Sequence, residues 1–215
     1  MVLIMTENVG VLWSDQSFLR NVQYRTDGNL AARQSIYAYR QPRIELPAAV
    51  LAALRLTGSE IVTDVGCGNG SYLAELARRD HRGPMIGVDL SQGMLAASRT
   101  RAPDARLLAG DATALPLRAG ASDLTLAMHM LYHVPEPTEA VSELRRVTRA
   151  GGQVVIGLNG EDHLKELREI VNNALPELGY ATTDLVGERV RLDQSEEILV
   201  GFIRIRTHAG CLICT

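Results

Sequence analysis

Cysteine is scarce in this chain of 215 residues: Cys67, Cys211 and Cys214 make an odd number, one inside a glycine-rich loop and two at the far end. That usage excludes a disulfide framework as the organising device. Cys211-x-x-Cys214 has no second Cys/His pair at zinc spacing beside it, so no metal site is expected. No run of about 18 apolar residues occurs, which removes the sequence signal for a membrane span. The opening residues Met1 to Glu7 lack the charged start and small-residue cleavage site of a signal peptide, and a cytoplasmic location away from membranes is expected. An excess of one charge is missing too. The 22 Lys and Arg stand against 25 Asp and Glu, a net charge of −3, so no broad positive field gathers nucleic acid, and none is expected as a partner.

What is present is ordinary globular material. Apolar residues make up 46% and charged residues 22%, enough for a packed core and no case for disorder. From residue 60 a beat repeats: a short apolar run, a turn, then a helical pattern. The runs at 61–65, 85–89, 105–109, 124–128 and 153–158 are nearly continuous in hydrophobicity, as strands buried on both faces read. Helical stretches lie between them at 71–79, 91–101 and 137–149. In the last, Val141, Leu144 and Val147 share a face and Gly151-Gly152 is the expected stop. Alternation at these lengths predicts a doubly wound, Rossmann-like α/β domain, its parallel sheet covered by helices on both faces.

Residues 1–45 differ in texture and are read as a helical N-terminal lid on a domain spanning 46–215. Five of the nine aromatics, Trp13, Phe18, Tyr24, Tyr37 and Tyr39, fall there. Leu30, Arg33, Ile36 and Tyr37 have helical spacing, with Asn29 placed as N-cap. A further helix is expected from Leu46 to Leu56. Another runs from Leu164 to Leu178, and Phe202 to Thr207 alternates as a half-exposed strand.

Chemistry concentrates after the first strand, in Asp64-Val65-Gly66-Cys67-Gly68-Asn69-Gly70. Glycines let a ligand approach the main chain, and a helix start presents unpaired N–H groups, so something compact is expected to bind at this turn. The third glycine comes one place earlier than in a dinucleotide fingerprint, with Ser71 in the expected position, which argues against NAD. Asp89 ends the second strand 19 residues after Gly70, where a carboxylate accepts both hydroxyls of a ribose. Asp111 ends the third, in Gly110-Asp111-Ala112, where its side chain and the next N–H suit the edge of an adenine. Each acid alone is an ordinary turn residue. Three at successive strand ends point to one nucleoside.

Taken together, D-V-G-C-G-N-G, G-V-D-L-S, G-D-A and H-M-L-Y-H-V, followed by L-R-R-V and R-A-G-G, closely resemble class I S-adenosylmethionine-dependent methyltransferases over about residues 46–160. The branch is the one holding ubiquinone and menaquinone biosynthesis enzymes and natural-product enzymes of secondary metabolism. The resemblance implies S-adenosylmethionine as cofactor and S-adenosylhomocysteine as product. It implies that the Gly66 loop, with Asp64, Cys67 and Gly68, backs the methionine part and that Asp89 holds the ribose. Leu90 and Met94 would flank the adenine, Asp111 with Ala112 would read its edge, and His129 would meet the amino-acid moiety. Tyr24 and Arg33 belong to a leader resembling those that fold over the cofactor. Such sheets have seven strands, and after Phe202 the sequence shows room for six. A shortened C-terminal hairpin is therefore expected, with the bare edge covered by a partner or a second copy.

Methyl transfer from a sulfonium is an in-line displacement, favoured by positioning and a water-poor pocket. An aromatic lid suits it, and Tyr24, Tyr37 or Tyr39 could supply a cation–π contact. For a hydroxyl acceptor a base is wanted, and His129 and His133 leave the fourth strand at the right edge. Both are candidate catalytic residues, with backbone anchoring the other reading of His133. The expected function is methyl transfer to a small molecule, at oxygen first and carbon or nitrogen next. A non-catalytic cofactor-binding subunit and a non-methylating enzyme using the same site are the alternatives.

Overall fold

The computed structural model describes residues 14–35, 39, 44–159, 165–177, 204–206 and 211–214. Trp13 and Tyr37 lie outside them, as does the side chain of Arg33. A leader comes first: α1 (Gln16–Phe18), which runs into a π turn at Leu19–Gln23, then α2 (Gly28–Ser35). Next come α3 (Leu46–Ala53), β1 (Val62–Val65), α4 (Ser71–Arg78), β2 (Met85–Asp89), α5 (Gln92–Arg101) and β3 (Arg106–Ala109). The second half holds β4 (Ser122–Met128), a 3-10 turn at Leu131–His133, α6 (Pro137–Val147), β5 (Thr148–Gly157), α7 (Lys165–Glu177), β6 (Arg204–Arg206) and β7 (Cys211–Cys214).

Among the described residues seven strands form one sheet in the order β3-β2-β1-β4-β5-β7-β6, the first five parallel and β7 antiparallel to both β5 and β6. The chain winds outward from β1 to β3, then returns to the other side of β1 for β4 and β5. Right-handed crossovers in opposite directions put their helices on opposite faces, and two cores result. Leu51, Leu73, Leu76, Leu124 and Leu126 pack under α3, α4 and α5. Leu131, Leu144, Val147 and Ile156 pack under α6. Each fully buried side chain of this size contributes roughly 1.5–3 kcal/mol.

Four expectations need correction. The sheet has seven strands, because the short apolar stretch Cys211-Leu212-Ile213-Cys214 pairs with Val154 to Gly157 and closes the edge of β5. The hairpin is short, with strands of three and four residues, but it is present. The hairpin covers the side of β5 that was expected to be bare. The stop of α6 is Thr148, not Gly151-Gly152. Thr148 takes an extended ψ of 131° and its hydroxyl donates to the Leu144 carbonyl at 2.7 Å, so the chain turns directly from helix to strand. The glycine pair sits within β5, where a Cβ at Gly152 would meet the Asp123 carbonyl at 2.7 Å. β3 is an edge strand, exposed at Arg106 and Ala109, and not buried on both faces. Asn29 lies inside α2, its amide donating back to the Gln23 carbonyl at 3.0 Å.

Two glycines isolate what the nucleating turn requires. Gly70 has φ +75° and an added Cβ would collide with the Ser98 hydroxyl, whereas Gly58 has φ +88° with open space around it. Gly58→Ala should cost only the left-handed strain, about 1–2 kcal/mol. Gly70→Ala should cost measurably more in urea unfolding, and equal losses would show that the Ser98 contact carries no weight.

Candidate functional site

Parallel register determines where the functional groups gather. Val65 pairs with Val88, Asp89 with Ala109, and Met128 with Gly157, so the carboxyl ends of β1 to β5 fall along one edge. The strand order reverses between β1 and β4, and a crevice opens at such a point. The glycine loop lies there. Gly66, Gly68 and Gly70 all have positive φ, and the Gly66 and Cys67 N–H groups both donate to the Val88 carbonyl, at 2.8 and 3.1 Å. A Cβ on Gly66 would stand 2.7 Å from the Met130 Cβ, so the loop presses against the chain leaving β4.

Asp89 keeps part of its surface open while its carboxylate is enclosed. Oδ2 accepts from the Gly68 N–H and Oδ1 from the Ser91 N–H, both at 2.8 Å. Burial raises its pKa against the lowering effect of those bonds. The Leu90 N–H is a third backbone donor to the carboxylate, which leaves part of its acceptor capacity of about four sites for a hydroxyl. Asp64, wholly buried on β1, has Oδ2 without a hydrogen-bond partner. Burial, and secondarily the charge of Asp89, pushes its carboxyl up to about 8. Asp111 behaves oppositely. Burial opposes its ionisation, but the Thr113 N–H and hydroxyl and the Gln16 amide outweigh it, and its pKa falls below the ordinary value. Ala112 is buried beside it.

His129 has φ +55°, a left-handed conformation rare for a side chain with Cβ and costing about 1–2 kcal/mol. Its N–H donates to the Gly157 carbonyl at 2.8 Å and Nδ1 pairs with the Asn159 Oδ1 at 3.1 Å. Nε2 is enclosed without a partner, and burial lowers the pKa, favouring the neutral ring. His133 is half-buried. Its Nε2 stands 2.7 Å from the Tyr24 hydroxyl, and its ring meets those of Tyr24 and Tyr132 edge-on.

The leader crosses this edge. The Ser91 hydroxyl donates to the Tyr24 carbonyl at 2.6 Å, Asn69 donates to Gln34 at 3.3 Å, and Leu30 lies 3.3 Å from where a Gly68 Cβ would be. Tyr24 thus reaches from the β2 tip to the β4 tip, over the end of β1. Tyr39 is 85% exposed and takes no part. Leu90 stays half-buried at the mouth, whereas Met94 is 1% exposed and packed in the interior. The Cys67 side chain also belongs to the core under α4, where burial, then Asp64 and Asp89, pushes the thiol pKa up. The structure therefore brings together Tyr24, Asp64, the loop, Asp89, Leu90, Asp111, Ala112, His129 and His133. Three further residues join them. Ser91 has a signal as the helix start after Asp89, whereas Asn159, two residues beyond β5, and Gln16 leave no local signal.

S-adenosylmethionine fits this donor set. Asp89 keeps acceptor capacity beyond its backbone donors, Gly66 and Gly70 leave no room for a Cβ, and Asp64 Oδ2 and His129 Nε2 are buried polar atoms awaiting a partner. Among the described residues no helix is long and apolar enough to cross a membrane.

The Asp64 shift makes a pH test. Between about 4 and 8 the folded chain holds a proton that the unfolded chain has released, so stability falls as pH rises through that window and levels off above it. Asp64→Asn should flatten the dependence and stabilise the ligand-free protein by a few kcal/mol near pH 8. Parallel urea-unfolding profiles for the two proteins would remove the burial penalty from the account.

A family profile described as a methyltransferase domain matches residues 63–156. The demethylmenaquinone methyltransferase of Beutenbergia cavernae is 38% identical over 108 residues, 50% of this chain and 44% of that protein. The malonyl-[acyl-carrier protein] O-methyltransferase of Methylococcus capsulatus is 31% identical over 173 residues, 78% of this chain and 62% of that protein. The chain spans less than two thirds of the length of either relative. Among solved structures, the magnesium protoporphyrin IX methyltransferase of Synechocystis, with bound SAH, superposes with TM-score 0.65 over 93% of this chain and 98% of its own, at 16% identity, a likeness of fold. Loop, strand order and these matches agree in likening residues 63–156 of this chain to a methyltransferase domain.

Proposed function

We propose that this protein transfers a methyl group from S-adenosylmethionine to a small-molecule acceptor, at oxygen first and carbon or nitrogen next, by in-line displacement. The observation that carries the reading is the convergence of the glycine loop, Asp89 and Asp111 on adjacent strand tips. When bound, the cofactor supplies a methyl group made electrophilic by its sulfonium. The residues of this chain bind and orient. Asp89 takes the ribose hydroxyls, Asp111 and the Ala112 N–H take the adenine edge, and Leu90 lies along the base. Asp64 and His129 face the amino-acid end, and Gly66, Cys67 and Gly68 offer backbone rather than side chains. Residues 1–45 act as the lid on the domain 46–215, with Tyr24 and Arg33 as its contributions, and the lid excludes water from the crevice.

Acceptor oxygen is favoured by the base available. His133 and Tyr24 stand 2.7 Å apart and half-buried, so a proton leaving a hydroxyl passes to His133 directly or through the phenol, and from there to water. His129 is the weaker base, its Nε2 enclosed and its pKa lowered. The name of the demethylmenaquinone methyltransferase supports a small acceptor, and that of the malonyl-[acyl-carrier protein] O-methyltransferase supports oxygen as the accepting atom. We place the protein in the cytoplasm, working without nucleic acid or membrane.

Calorimetric titration with S-adenosylhomocysteine tests the cofactor site. Asp89→Ala should weaken affinity by roughly 1.5–3 kcal/mol, the scale of charge-assisted bonds lost in an enclosed site. His133→Ala should leave that affinity nearly unchanged and slow methyl transfer. Undiminished binding by the Asp89 variant would remove the ribose assignment.

A further inference from the structure

Asp111 has both carboxylate oxygens engaged, and the two engagements differ in kind. Oδ1 accepts from the Thr113 N–H and hydroxyl, each at 2.9 Å, contacts two residues along that belong to the turn itself. Oδ2 accepts the Gln16 amide Nε2 at 2.6 Å, across 95 residues of sequence. A carboxamide NH₂ and the exocyclic amine of a purine are alike as donors: planar, conjugated and neutral, with two N–H groups on one nitrogen. The leader therefore offers Asp111 the same chemistry as a nucleobase.

We propose that Gln16 is a nucleobase surrogate: it occupies the carboxylate oxygen of Asp111 in the ligand-free protein, and an adenine amine binds by displacing it. This rests on the assignment of Asp111 to the adenine edge made above. The exchange needs rotation of one half-buried side chain and no movement of the leader backbone. Leu19, 4% exposed, anchors the turn that follows Gln16. The Tyr24 carbonyl is held by the Ser91 hydroxyl at 2.6 Å, and the Arg25 carbonyl lies so close to Gly93 that no Cβ fits between them. Held at these points, the leader keeps its place while Gln16 swings out. Asp111 then always has a donor on Oδ2, first from glutamine and then from the base, and its charge is never left bare in a partly enclosed site. A ligand without an amine at that position gives nothing in return for the lost bond, so Gln16 raises the barrier to wrong nucleosides.

The test is calorimetric titration of the full chain with S-adenosylhomocysteine, alongside NMR of the Gln16 side-chain amide. Gln16→Ala removes the competitor and should bind roughly three- to twentyfold more tightly than the unmodified protein. Gln16→Asn keeps an amide on an arm one methylene shorter and should shift the same way, which separates loss of reach from damage to the fold. In the unmodified protein, saturation should move the Gln16 amide resonance toward that of a solvent-exposed glutamine. Weaker or equal binding by Gln16→Ala, or an amide signal unmoved at saturation, overturns the proposal. If Asp111→Ala binds as well as the unmodified protein, the adenine assignment fails and the surrogate with it, whereas a failure confined to the Gln16 variants leaves that assignment standing.

Discussion

Everything in the site hangs on the main-chain hydrogen bonds that join the end of β1 to the end of β2. The Val88 carbonyl accepts from both Gly66 and Cys67, and Asp89, the next residue, accepts from Gly68. One strand end thus orders a loop of three left-handed glycines, and the loop in turn satisfies a carboxylate that burial would otherwise make costly. Neither element is stable in this form without the other. Because β1 and β2 are in parallel register, the arrangement is repeated laterally, and acids at the β1, β2 and β3 tips share one edge without any long side chain having to reach.

The leader adds a second layer to that edge. It meets the β3 tip through Gln16, the β2 tip through the Tyr24 carbonyl and the β4 tip through the Tyr24 hydroxyl. These are polar contacts made to the groups that otherwise face a ligand, so roof and binding surface are parts of one hydrogen-bond system. Asn159 does for His129 what the loop does for Asp89. It engages one ring nitrogen and leaves the other enclosed, in a residue whose backbone is itself held in an uncommon conformation.

Much of this was legible in the sequence because it is written in local turn chemistry. The D-V-G-C-G-N-G loop, Asp89 two residues before its helix cap Ser91, and Asp111 before Ala112 each encode their geometry within a few residues. The strands β1, β2 and β4 show as apolar runs for the same reason. What was missed depends on distance. Gln16 meets Asp111 across 95 residues and Asn159 meets His129 across 30, and neither leaves a periodic trace. The exposure of β3 follows from its place at the sheet edge, which hydrophobicity along a strand cannot report. The last strand is not legible because four residues, Cys211–Cys214, are too few to show a period, and only pairing with β5 defines them as a strand.

The seam between Gly93 and the Arg25 carbonyl bears on how the roof meets its floor. With no space for a methyl group there, the first turn of α5 receives the main chain of the preceding segment at Arg25. A surface that recognises only backbone is indifferent to side chains. At that seam the side chain laid on it does not decide the fit, whereas Gln16 and Tyr24 meet the floor through theirs. A single glycine thereby sets the height at which the roof rests on its floor.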